Sequence, residues 1–88
     1  MITKEYTITS PQGLHARPAT ALIRLVKNFI SVISIQKGEK ITRLNSMINL
    51  LSMTIKGGET ITIIIEGEDE INAAEALGLF FAEQLKEL

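Results

Sequence analysis

The sequence predicts an α+β fold, an open-faced β-sandwich whose four-stranded, mostly antiparallel sheet carries three helices on one face. Three observations predict it. Residues 2–9 and 60–66 alternate apolar and polar with the period of a strand. Residues 16–27 and 70–86 repeat apolar positions with the period of a helix. Turn-forming residues separate these stretches into the order β-α-β-β-α-β-α. With 88 residues, 45% of them hydrophobic, the chain can bury one modest core and no second, so 1–88 reads as a single domain.

In the first strand Ile2, Tyr6 and Ile8 share one side, and Thr3, Glu5, Thr7 and Thr9 the other. Lys4 interrupts the apolar side and is expected to snorkel at the strand end. Pro11 and Gly13 close the strand. In the helix over 16–27, Ala19, Leu22, Ile23 and Val26 fall at i, i+3, i+4 and i+7, leaving Arg24 and Lys27 on the wet face. Pro18 lies in its first turn, where a missing N–H costs little, and Asn28 is the stop.

Ser31 to Gln36 is the second strand, with Ile33 and Ile35 inward and Ser34 and Gln36 outward. A tight turn over 37–40 returns the chain as a short third strand, Ile41 to Leu44. Ile41 and Leu44 have opposite parity, so a kink or bulge near Arg43 is expected. Residues 47–53 form a short docked helix, capped by Asn45 or Ser46, with Ser46 preferred. Gly57-Gly58 turns the chain into the clearest strand, Thr60 to Glu66. Ile61, Ile63 and Ile65 point one way, and Ile64 on the other face marks a central strand. Glu68-Asp69-Glu70 favours a helix start, and 70–86 follows with Ala74, Leu77, Phe81 and Leu85 as its main stripe. Gly78 inside that helix weakens it by about 1 kcal/mol relative to alanine.

Composition narrows the function. There is no cysteine, which excludes disulfides and thiolate chemistry and fits a cytoplasmic protein. No apolar run reaches membrane-spanning length and the N-terminus lacks a signal pattern, so no membrane insertion is expected. One histidine without cysteine argues against a metal site, and no cofactor motif is present. Residues 1–56 carry eight Lys/Arg against two acids, whereas residues 57–88 carry eight acids against one base. One positive face, suited to an acidic partner or a phosphate, follows from that asymmetry. Nucleic acid is a poor fit, because three Phe and one Tyr with no basic-aromatic run on a strand supply no stacking platform.

The chemistry concentrates in Gly13-Leu14-His15-Ala16-Arg17-Pro18-Ala19. A lone histidine in a small domain is usually incidental, but this one stands at a helix start with an arginine two residues on. Helix starts leave N–H groups unpaired and carry partial positive charge. Pro18 has no N–H to offer, so the amides of Ala16 and Arg17 are the natural donors to an anion. His15 can therefore hold a phosphoryl group on an exposed imidazole while those amides and the Arg17 side chain cradle it. Of the short helix, Met47, Ile48, Leu50 and Leu51 are more apolar bulk than one buried face needs, and some must be exposed for docking.

These residues resemble the HPr family, the histidine phosphocarriers of the bacterial sugar phosphotransferase system. Ile8 to Ala19 is similar to the family's active-site motif, Ser46 falls where the family has its regulatory serine, and Ile65 to Glu70 looks like its last strand-to-helix junction. The resemblance implies a monomeric carrier, not a turnover enzyme, whose His15 is phosphorylated at Nδ1 by enzyme I and passes the group to sugar-specific enzyme IIA domains. Arg17 would be its charge partner, and Arg24, Lys27, Met47, Ile48 and Leu51 the docking surface. It also implies an HPr kinase/phosphorylase and a transcription regulator as partners of Ser46, and a specialised regulatory paralogue as the alternative role. Three positions depart from the family: Thr54 where glycine is common, Gly78 in place of a larger apolar residue, and Asn45 in place of a basic one. An altered backbone at Thr54, looser packing at Gly78 and weaker docking at Asn45 are expected.

Overall fold

A computed structural model describes all 88 residues. Its elements are β1 (Ile2–Thr7), α1 (Ala16–Val26), β2 (Val32–Lys37), β3 (Lys40–Arg43), α2 (Met47–Ser52), β4 (Thr60–Glu66) and α3 (Glu70–Leu79). A π-helical turn (Phe80–Gln84) and a 3-10 turn (Leu85–Glu87) prolong α3. The strands lie in the order β1-β4-β2-β3 and every pairing is antiparallel.

The longest alternating stretch becomes the centre of the sheet. β4 pairs with β1 on one side and β2 on the other, aligning Ile2, Ile65 and Ile33 in one rung. Ile61, Ile63 and Ile65 are buried with Ile33 and Ile35, and Leu22, Leu50, Leu77, Phe80 and Leu85 close over them from the helices. The opposite sheet face, which includes Thr3, Ser34, Thr62 and Ile64, has no helix over it, and Ile64 is half-buried there.

Several boundaries differ from expectation for identifiable reasons. β1 ends at Thr7, yet Ile8 is buried beyond it because its N–H donates to the Glu59 carbonyl and its carbonyl accepts from Gly58 N–H, both at 2.8 Å. β3 needs no bulge. The register pairs Arg43 with Ser34, and Leu44 N–H continues the ladder to the Ile33 carbonyl at 2.9 Å. Leu44 is thus inward and buried, while Ile41 simply faces solvent on an edge strand.

The last helix does not run uniformly to 86. Leu85 N–H bonds the Phe80 carbonyl, an i→i+5 closure that widens one turn and lets Phe80, Phe81 and Leu85 all reach the core. Ala73, not Ala74, is the fully buried alanine of α3. At Gly78 the expected loose packing is filled by Tyr6, whose ring stacks on Phe81 with centroids 4.6 Å apart. A Cβ at Gly78 would meet only the Tyr6 hydroxyl, at 3.6 Å, an ordinary contact. Gly78→Ala is therefore expected to raise stability by about 0.5–1 kcal/mol through the helix backbone. Urea unfolding checks this, and a lower midpoint would show that Tyr6 needs the space.

The α3 N-terminus is tied across the fold. The Asp69 carboxylate accepts from the Ile30 N–H (2.9 Å), the Ser31 N–H (3.0 Å) and the Ser31 hydroxyl. The Ser31 hydroxyl first, then the Ile30 N–H, hold its carboxyl below the ordinary value. Because the folded value is depressed, the contribution is complete above the unfolded carboxyl's range, about 3.9, and is lost as pH falls through the folded value. Asp69→Ala should lower the melting temperature at neutral pH and remove part of the acid-limb dependence. Parallel pH curves for variant and parent would contradict it.

Candidate functional site

The site is built where the β1–α1 turn meets the chain that leaves α2. Gly13 N–H bonds the Ser10 carbonyl (2.9 Å), closing the turn, and Gly13 takes φ +70. Leu14 N–H then bonds the Ile55 carbonyl (3.0 Å), and both side chains are buried. This anchors the residue before His15 to the segment after α2.

His15 is the N-cap residue of α1, in extended backbone, and its side chain makes no capping bond. Its carbonyl accepts from Ala19 N–H at 2.9 Å, starting the helix. The N–H groups of Ala16 and Arg17 have no backbone acceptor, and Pro18 has no N–H to satisfy. The imidazole is half-buried rather than exposed, with Nδ1 turned inward and without a hydrogen-bond partner. Arg17 is exposed and makes no ion pair. A shallow groove lined by Ala16, Arg17, Thr20, Ala21 and Arg24 runs from here along α1.

Ser46 sits at the start of α2 as its N-cap, its Oγ accepting from Asn49 N–H at 3.3 Å, which decides between it and Asn45. α1 and α2 pack on each other. Leu50 is buried and Met47 half-buried, while Ile48 and Leu51 are 79% and 40% exposed. The exposed Arg24 and Lys27 continue the α1 face begun by Arg17.

A family model described as "PTS HPr component phosphorylation site" matches residues 2–83. The chain belongs to the HPr family. It is 37% identical over 83 residues to a phosphocarrier protein HPr of Lysinibacillus sphaericus, covering 94% of each chain. To the HPr-like protein Crh of Halalkalibacterium halodurans it is 38% identical over 84 residues, covering 96% of this chain and 100% of that one. Among solved structures, a Mycoplasma histidine-containing phosphocarrier protein superposes with a TM-score of 0.89 at 36% identity, over 96% of each chain. As an HPr, the chain is a phosphocarrier of the phosphotransferase system and not a turnover enzyme. No helix is long and apolar enough to cross a membrane.

Thr54 takes a left-handed backbone, with φ +52, even though it is a β-branched residue. The supports behind the His15 turn, Ile55 and the residues that hold it, carry no local sequence signal, because they join segments some forty residues apart.

Proposed function

We propose that His15 accepts a phosphoryl group from enzyme I and passes it to enzyme IIA domains, in a monomeric cytoplasmic protein. The observation that carries this is the unpartnered Nδ1 of His15 beside the two free amides of Ala16 and Arg17. Its lone pair is not consumed by a hydrogen bond. Transfer requires the ring to turn about its side-chain torsions, so that the covered Nδ1 comes to the mouth of the helix end. There Nδ1 bonds to phosphorus as the bond from phosphorus to the donor atom breaks, its electron pair leaving with the donor. The added charge then meets the Ala16 and Arg17 amides, the helix dipole and the Arg17 guanidinium. No metal is required of this chain's residues for that step, since a loose phosphoryl-transfer transition state needs mainly positioning and charge. Arg24, Lys27, Met47, Ile48 and Leu51 form the docking surface around it, small and transient as a carrier requires. Incubation with enzyme I and phosphoenolpyruvate should add one phosphoryl group by intact mass, labile to acid and stable to alkali. No adduct would defeat the reading.

Ser46, at the N-cap of α2, supports a second, regulatory layer, through an HPr kinase/phosphorylase and a transcription regulator. A phosphate on Ser46 would lie at the positive end of α2, so it adds surface charge beside Met47 without unfolding the helix. The carrier role remains the leading one because His15 is present. Ser46→Asp is expected to slow His15 phosphorylation at low salt, leave the melting temperature unchanged, and lose its effect as salt is added. An unchanged low-salt rate would reduce Ser46 to a cap.

A further inference from the structure

Thr54 follows the C-cap of α2 at φ +52, a conformation that glycine adopts freely and a β-branched residue adopts at a cost of about 1–3 kcal/mol. Such a residue stays there only if its surroundings over-determine it. Lys37, at the end of β2, supplies the constraint. Its Nζ donates to the Thr54 carbonyl (2.9 Å) and the Met53 carbonyl (3.5 Å) and pairs with Glu59 Oε1 (3.0 Å).

The same Glu59 oxygen accepts from Lys56 N–H at 2.6 Å. The Lys56 N–H first, and then the Lys37 ammonium, hold the Glu59 carboxyl below its ordinary value, so it stays charged. One ammonium therefore grips the segment 53–59 at both ends. In the middle of that segment lies the Ile55 carbonyl that receives Leu14 N–H, and against it sits Gly13. His15 directly follows Leu14.

We propose that Lys37 is a positioning residue for phosphoryl transfer: through Glu59 and the left-handed Thr54 it fixes the Ile55 carbonyl, and thereby the backbone that aims His15. The pair is partly exposed, and a surface ion pair by itself contributes little stability. Its effect here is geometric, because the carbonyls it holds are two and one residues before the contact that anchors the turn. Phosphoryl transfer depends on alignment, and small misplacements of an attacking atom cost rate steeply. The kinetic part of this inference rests on the phosphocarrier reading.

The test is Lys37→Met, which keeps the aliphatic stem and removes the charge. In NMR spectra the Leu14, Ala16 and Arg17 amides and the His15 ring are expected to shift, with signals of the exposed α3 residues Ile71 and Glu75 unmoved. With enzyme I, kcat for phosphorylation is expected to fall about tenfold with KM little changed, as expected of a displaced nucleophile on an intact docking face. Adding Thr54→Gly, which accepts the left-handed backbone unaided, should restore both readouts. A lower melting temperature with His15 and Leu14 signals unmoved would overturn the proposal and leave Lys37 a structural tie. Glu59→Gln is the second variant, used if Lys37→Met does not fold, and must move the same signals to support the proposal. If the parent protein takes no phosphoryl group from enzyme I, the phosphocarrier reading fails by itself, and the NMR comparison still decides whether Lys37 positions His15.

Discussion

His15→Ala is expected to fold like the parent and to take no phosphoryl group from enzyme I. The fold tolerates the change because the His15 side chain makes no capping bond, and its ring is only half-buried. The helix start is held instead by the backbone bond from Ala19 to the residue 15 carbonyl and by buried Leu14, Pro18 and Ala19. Those survive the substitution. The chemical loss is complete because this is the only histidine and no cysteine offers another soft nucleophile. Arg17→Ala should behave differently, slowing transfer while leaving the adduct detectable, since it removes charge stabilisation but not the acceptor. Intact mass after incubation with enzyme I and phosphoenolpyruvate distinguishes the two. An adduct of undiminished yield on His15→Ala would move the acceptor elsewhere in the chain.

The element order and the inward face of the sheet were legible because both depend on local period. Ile61, Ile63 and Ile65 alternate, and all three are buried. The interior of α1 followed from spacing in the same way, with Ala19, Leu22, Ile23 and Val26 all buried. Where period is weak, reading failed for a physical reason. Ile41 and Leu44 looked contradictory because both are apolar, yet an edge strand leaves Ile41 to solvent while the ladder carries Leu44 inward. The end of α3 could not be read from a 3.6 period because the i→i+5 turn at 80–84 breaks it. At the candidate site, His15, its amides and Arg17 are neighbours in sequence, so they could be named together. Their supports could not. Lys37 and Glu59 are ordinary charged residues until β2 and the chain entering β4 bring them within 3.0 Å.

Gly13→Ala is expected to be the most damaging single methyl group in the chain. Gly13 holds φ +70, where an L side chain is strained, and its Cβ would overlap the Ile55 carbonyl oxygen and lie 2.8 Å from the Lys56 Cα. Both neighbours are backbone, so no rotamer change can relieve the overlap. The turn must lift, which stretches the Leu14 N–H to Ile55 carbonyl bond of 3.0 Å and moves the start of α1 with it. Left-handed strain and overlap together should cost about 2–4 kcal/mol. Gly58→Ala is the matched control. It shares the positive φ, at +87, but a Cβ there meets nothing within 4 Å, so only the strain of about 1 kcal/mol remains. Urea unfolding should therefore separate the variants, and phosphorylation by enzyme I should slow in Gly13→Ala alone, because only that methyl displaces His15. Equal losses in both would mean that conformational strain, not contact with the Ile55–Lys56 backbone, sets the requirement for glycine at 13.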